Sequence, residues 1–107
     1  MGAVTSLIYA SKYPENVVSM VLDSPFSNFN QLIRDLAKSK TGLPTFLFSP
    51  ILSRIENTIK EKTNCDLFSI DLRKNLGQIK NIACLFLTSK NDQLVPSKQT
   101  EELYNLH

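Results

Sequence analysis

The residues best suited to chemistry in this 107-residue chain are carboxylates set at the ends of apolar runs. Ile82 to Leu87 is apolar throughout, with no Gly, Pro or charge, and it stops in the polar turn Thr88-Ser89-Lys90-Asn91-Asp92. In open parallel α/β sheets, ligands and catalytic groups gather just beyond the carboxyl ends of the strands. Asp92 stands at such a place and is the first candidate functional residue. The bland alternative is that a strand-to-helix turn favours Asn and Asp for local backbone bonding. Val17 to Leu22, VVSMVL, repeats the grammar: a β-rich run, the carboxylate Asp23, then the turn Ser24-Pro25. The nearest hydroxyls, Ser6, Ser24 and Ser27, lie in no tight Gly-flanked turn, and Pro25 stands where such a turn after Ser24 needs glycine. His107 ends the chain and reads as a surface residue.

Composition narrows the classes. The hydrophobic content of 42% and charged content of 21% describe an ordinary soluble globular protein. A net charge of +2, with twelve Lys and Arg scattered along the chain, gives no basic patch for nucleic acid. No run approaches the roughly 20 apolar residues of a transmembrane helix, and the N-terminus lacks a basic-then-apolar signal pattern. Cys65 and Cys84 lie in unlike settings with no spacing motif. Two lone thiols point to a reducing compartment, with cytoplasm the default, and to no metal site; a secreted chain with one disulfide is the alternative. There is no Gly-rich phosphate loop, CxxC or pair of histidines, so no cofactor is expected.

The elements that must position the two acids follow from periodicity. Gly2–Lys12 predicts a largely buried helix with Val4, Leu7, Ile8 and Ser11 on one stripe, ending before Pro14 because Tyr13 is pushed out of helical geometry. Residues 17–22 and 82–87 read as strands, the second buried on both faces, and the helical pattern between them makes the pair parallel. Phe29, Leu32, Ile33, Leu36 and Ala37 predict a helix to about Lys40, capped by Ser27 or Asn28. A second apolar stripe, Phe48, Ile51, Leu52, Ile55 and Ile59, predicts a further helix with Pro44 in its first turn and a kink or split at Pro50. These helices exceed what a simple crossover needs, so residues of about 27–60 suit an inserted cap or lid. A short helix over Ser69–Asn75, capped by Ser69 and closed near Gly77, and a last helix capped by Ser97 or Thr100 complete the reading.

Three pieces in this order resemble the α/β-hydrolase superfamily, within it the serine-aminopeptidase-like and acyl-hydrolase-like members. Met1-Gly2-Ala3-Val4 with its small-residue helix looks like the tail of a G-x-S-x-G nucleophile elbow. VVSMVLDSPFSN is similar to the strand after the elbow helix, and SKNDQLVP to the strand-end turn that carries the acid. The resemblance implies an α/β fold, a partial α/β-hydrolase domain over 1–107. It makes Asp92 the triad acid, which accepts a histidine Nδ1–H and stabilises the imidazolium. It also makes the backbone N–H of Met1 an oxyanion-hole donor and Gly2 the last elbow glycine. Asp23 is the alternative acid, since some members place it after the earlier strand.

The departures from that family are a nucleophile and a histidine with no matching position in the chain. The expectation is therefore a fragment of a serine hydrolase, cleaving an ester, thioester or amide of a small-molecule, peptide or acyl substrate when intact, and inactive alone. Phe46 and Phe48 could line an acyl pocket, though helix core suits them better, as it does Tyr104. Lys38, Lys40, Lys60, Lys62 and Arg73 read as solvated. The alternative is a non-catalytic pseudohydrolase module whose exposed sheet edge docks a partner or a second copy. A flavodoxin-like binding domain is disfavoured because the chain opens on a helix.

Overall fold

Two parallel strands far apart in the chain lie side by side, and everything else is hung on them. In the computed structural model, which describes residues 1–41, 48–64 and 66–107, β1 is Ser19–Asp23 and β2 is Ala83–Leu87. They pair parallel, with Ser19 opposite Ala83 and Asp23 opposite Leu87. Helix α1 (Gly2–Lys12) precedes β1; α2 (Phe29–Thr41) and α3 (Phe48–Thr63) follow it. Three 3-10 turns, Leu67–Ser69, Leu72–Lys74 and Leu76–Ile79, lead to β2, and α4 (Ser97–Leu106) closes the chain. The expected α/β class with parallel strands and intervening helices is what forms.

The core has one layer. Val4, Leu7 and Ala10, three apart along α1, point one way and are buried. They meet Leu22 of β1, Leu72, Leu76, Ile79 and Ile82 of the turn region, and Leu103 of α4. Met20, Cys84 and Phe86 pack against this cluster from the sheet. A satellite of Leu52 and Phe68, with Phe29, Ile33, Ala37 and Ile59 around it, holds α3 against α2.

Among the described residues the sheet is covered on one face only, which corrects the expectation that the second strand is buried on both. Ser19, Val21 and Asp23 alternate with half-buried or buried Met20 and Leu22, while exposed Ala83, Leu85 and Leu87 alternate with half-buried Cys84 and Phe86. The uniform apolar run around Ile82–Leu87 therefore supplies both the core face and an apolar face open to water. Helix α1 is likewise one-sided, with Thr5, Ser6 and Tyr9 exposed.

Several local expectations also change. Asn28, not Ser27, caps α2 by accepting the Gln31 N–H at 3.0 Å. Pro50 does not split α3, because the helix starts at Phe48 and Pro50 falls in its first turn, where no intrahelical donor is needed. The stretch Ser69–Asn75 breaks into 3-10 turns, one capped by Asp71 through the Arg73 N–H, and Gly77 lies inside the last of them. Helix α4 begins after Pro96 with no side-chain cap, Ser97 and Thr100 included. The expectations for Gly42, Pro44, Phe46 and Cys65 lie outside the described residues.

Leu7, with none of its surface exposed, sits where α1 meets β1. Leu7→Ala should cost about 2–5 kcal/mol. Urea unfolding followed by circular dichroism is expected to show a midpoint shifted down with the slope unchanged, or no cooperative transition. Cys84 gives a second check: burial holds its thiol above the usual range. In a Cys65→Ser background a thiol reagent at mildly alkaline pH should label Cys84 much more slowly in the folded chain than in urea.

Candidate functional site

Because β1 and β2 run parallel and in register, their carboxyl ends finish together. Ser24 N–H donates to the Leu87 carbonyl at 2.8 Å, which ties the turn after β1 to the end of β2. The two candidate acids, Asp23 and Asp92, thus belong to neighbouring turns at one end of the sheet, at the place where parallel sheets present reacting groups.

The turn after β2 is built around the Asp92 side chain. Asp92 Oδ1 accepts the Leu94 N–H and the Val95 N–H, each at 2.9 Å, and the Asp92 N–H donates to Ser89 O at 3.2 Å. These amide bonds, Val95 first and Leu94 second, hold the carboxyl below the ordinary carboxylate range. Burial opposes them weakly, and the hydroxyl of Ser24 adds to the lowering. Both amides engage the same oxygen, and a carboxylate has room for further donors on the other. The result is an ionised acceptor, fixed by its own backbone and half exposed.

Ser24 is the residue that sequence reasoning set aside. It follows β1 with a φ of 51°, a left-handed conformation rare for a residue with a Cβ. Its hydroxyl donates to Asp23 Oδ1 at 3.0 Å. The Ser-Pro step looked unsuited to a sharp turn without glycine, yet the strand-end turn forms with Ser itself in the strained position. The pairing of Asp23 with Leu87, which no local pattern encodes, is what carries Ser24 toward Asp92.

Asp92 borders a small cleft of about 330 Å³, whose opposite wall is α2 through Asp35, Leu36 and Ser39. Asp35 also lines a larger polar cleft of about 900 Å³ between α2 and α4. Its walls are a hydrogen-bonded network. Ser27, 1% exposed, donates its hydroxyl to Glu102 Oε2 at 2.7 Å and its N–H to Gln99 Oε1 at 3.2 Å. Gln99 in turn donates to Asp35 Oδ2 at 3.1 Å. Arg73 closes the far end, forked onto both oxygens of Asp71 at 2.7 and 2.6 Å and reaching Glu102 at 3.4 Å. The fork holds Asp71 below its usual range and raises Arg73. Arg73 is therefore a structural ion-pair partner as well as a half-exposed cation, and Ser27 is a strut between β1 and α4.

The remaining sequence candidates are dispersed. Met1 caps α1 from outside: its carbonyl accepts the Thr5 N–H and hydroxyl, and its side chain is exposed. Among the described residues no hydrogen bond joins Met1 to the Asp92 turn. His107 is half-buried rather than purely superficial, with Nε2 3.2 Å from Ile79 O and its ring 5.9 Å from that of Phe86. Tyr104 is exposed and meets Phe86 edge-on. Among the described residues no group of three His, Cys, Asp or Glu side chains is placed to hold a metal ion, and no helix is long and apolar enough to cross a membrane. Compared with known proteins, the chain matches no family model, no curated relative and no solved structure.

The Asp92 bonds favour the charged carboxyl. Their contribution to stability is complete above the ordinary carboxylate pKa of about 3.9 and disappears as pH falls through the lower folded value. Carboxyl-detected NMR should show Asp92 titrating below the ordinary aspartate value of about 3.9. Asp92→Ala should speed hydrogen exchange at the Leu94 and Val95 amides, whereas Asp92→Asn, which keeps an acceptor oxygen, should change them far less.

Proposed function

We propose that this chain carries the acid of a Ser-His-Asp triad and is part of a serine hydrolase of the α/β-hydrolase type. The single observation that supports it most is the state of Asp92: an ionised carboxylate, fixed by two backbone amides beyond a parallel strand, half exposed and facing a cleft. A triad acid needs those properties, because its task is to hold a histidine in one tautomer and stabilise the positive charge that forms on it. Asp23 is the weaker candidate, since the Ser24 hydroxyl at its Oδ1 does not fix it as two backbone amides fix Asp92. Helices α2 and α3 would serve as the cap, and the cleft between α2 and the Asp92 turn would receive part of an ester, thioester or amide substrate.

The nucleophile and the base would come from residues other than those gathered here. Ser24 is close to Asp92 but has two carboxylates and no imidazole around it, so nothing activates its hydroxyl. The 107-residue chain by itself is then inactive. A second reading, a non-catalytic docking module, draws on a different observation: the open face of the sheet, with Val21 65% and Leu85 56% exposed.

A fluorophosphonate probe, which reacts with activated serines, should leave the isolated chain unlabelled; labelling at any serine would overturn the assignment of inactivity. Full-length transcript sequencing tests the rest. An in-frame G-x-S joined to Met1-Gly2 is expected, and in that longer protein Asp92→Asn should lower kcat by about 10³- to 10⁴-fold. An upstream sequence without G-x-S would refute the hydrolase reading.

A further inference from the structure

Ser24 holds a backbone conformation that glycine adopts without strain. Its φ is 51°, and a left-handed residue with a Cβ stays there only because its surroundings hold it. The turn itself needs no more than the backbone. The Ser24 N–H reaches Leu87 O at 2.8 Å, a bond that glycine would make equally well. What glycine lacks is the hydroxyl. Ser24 is half-buried, and its hydroxyl stands among the strand-end acids. It lies 3.0 Å from Asp23 Oδ1 and near enough to Asp92 to favour the charged carboxyl there.

Asp92 has a use for a further donor. Both of its amide bonds, from Leu94 and Val95, fall on Oδ1. Two bonds on one oxygen let the carboxylate plane pivot about it, and Oδ2, which is left for another partner, swings with that plane. Both amides also belong to the Asp92 turn, so they fix the side chain to its own turn and not to the sheet. A donor carried by β1 supplies what they lack.

We propose that Ser24 is a positioning residue for Asp92: its hydroxyl, held at the end of β1, donates to the Asp92 carboxylate and fixes the plane in which that carboxylate accepts its next hydrogen bond. A hydroxyl has one proton to donate. Asp23 and Asp92 therefore compete for it, and rotation about the Cβ–Oγ bond passes it between them with no heavy atom displaced. Asp23 thus sets how much of the hydroxyl Asp92 receives. The catalytic meaning rests on the reading of Asp92 as a triad acid, where the next bond is a histidine Nδ1–H. The arrangement of the three side chains does not rest on it.

The other charges around Asp92 are Asp35 across the cleft and Lys90 within the turn. Both oxygens of Asp35 are taken, by Gln31 and Gln99. Substitution at position 24 leaves these groups in place, so a change at Asp92 reports on the hydroxyl.

Carboxyl-detected NMR of the chain provides the test. Ser24→Gly should shift the Asp92 titration upward, with no fall in melting temperature and with the Leu94 and Val95 amides still protected from exchange. Ser24→Asn, which tolerates the left-handed conformation and carries an amide donor, should bring the titration back down. Asp23→Asn weakens the competing acceptor and should shift Asp92 downward, and that shift should shrink when it is combined with Ser24→Gly. Repulsion between two carboxylates through space would instead give the same shift with or without the hydroxyl. An Asp92 titration unmoved by Ser24→Gly, or an Asp23→Asn shift of equal size in both backgrounds, would overturn the proposal. So would an upward shift accompanied by lost protection at Leu94 and Val95. A G-x-S upstream of Met1 tests the triad separately, so either idea can fail while the other stands.

Discussion

The in-register pairing of β1 with β2 governs the rest of the molecule, because it brings together turns that the chain keeps far apart. Asp23 lies opposite Leu87, and Ser24 bonds to Leu87 across the pair. That single register places Asp23, Ser24 and Asp92 at one end of the sheet. A slip of one residue would turn Met20 and Leu22 outward and Val21 inward, and the core would lose its contacts with α1 and α4. The strict alternation of buried and exposed residues in β1 makes such a slip expensive. The site geometry is therefore a consequence of core packing on the face opposite the open one.

Helix α4 secures this arrangement from the other side. Its first turns reach the β1–α2 connection through three bonds: Thr100 to Pro25 O, Gln99 to Ser27 N–H, and Glu102 to the Ser27 hydroxyl. Ser27, Gln99 and Thr100 are buried at this contact, and Glu102 is partly buried. No buried side-chain polar atom among the described residues lacks a partner. A network satisfied at every member fixes geometry more strongly than the sum of its bonds suggests. Since α4 follows directly from the Asp92 turn, the network also sets where that carboxylate stands relative to α2, and hence the width of the cleft between them.

Much of this was legible in the sequence, and the limits have physical causes. The strand ends, the parallel pairing and the helices α1, α2 and α4 follow from local periodicity, which reports which residues share a face. Asp92 was singled out because parallel sheets gather functional groups just beyond their strand ends, although such a turn also favours Asp for local backbone bonding. Periodicity does not say whether a face is covered, so Ile82–Leu87 read as doubly buried when Leu85 and Leu87 are open to water. Of the two cap candidates, Ser27 and Asn28, periodicity did not choose; Asn28 caps α2 because Ser27 is taken up by long-range bonds to Gln99 and Glu102. Ser24 was passed over because its position depends on a strained φ and a partner strand, neither of which leaves a local pattern. The short helix expected over 69–75 dissolved into 3-10 turns because Asp71 prefers to cap Arg73 and fork onto its guanidinium.

The open face ties the two functional readings together. A parallel sheet normally has cover on both sides, since its apolar residues gain by leaving water. Here Val21, Leu85 and Leu87 form an apolar row that no described residue covers, directly behind the end of the sheet that carries Asp92. The hydrolase reading has further elements of a longer protein cover this row, and the docking reading has a partner cover it; both call on the same exposed side chains of Val21, Leu85 and Leu87.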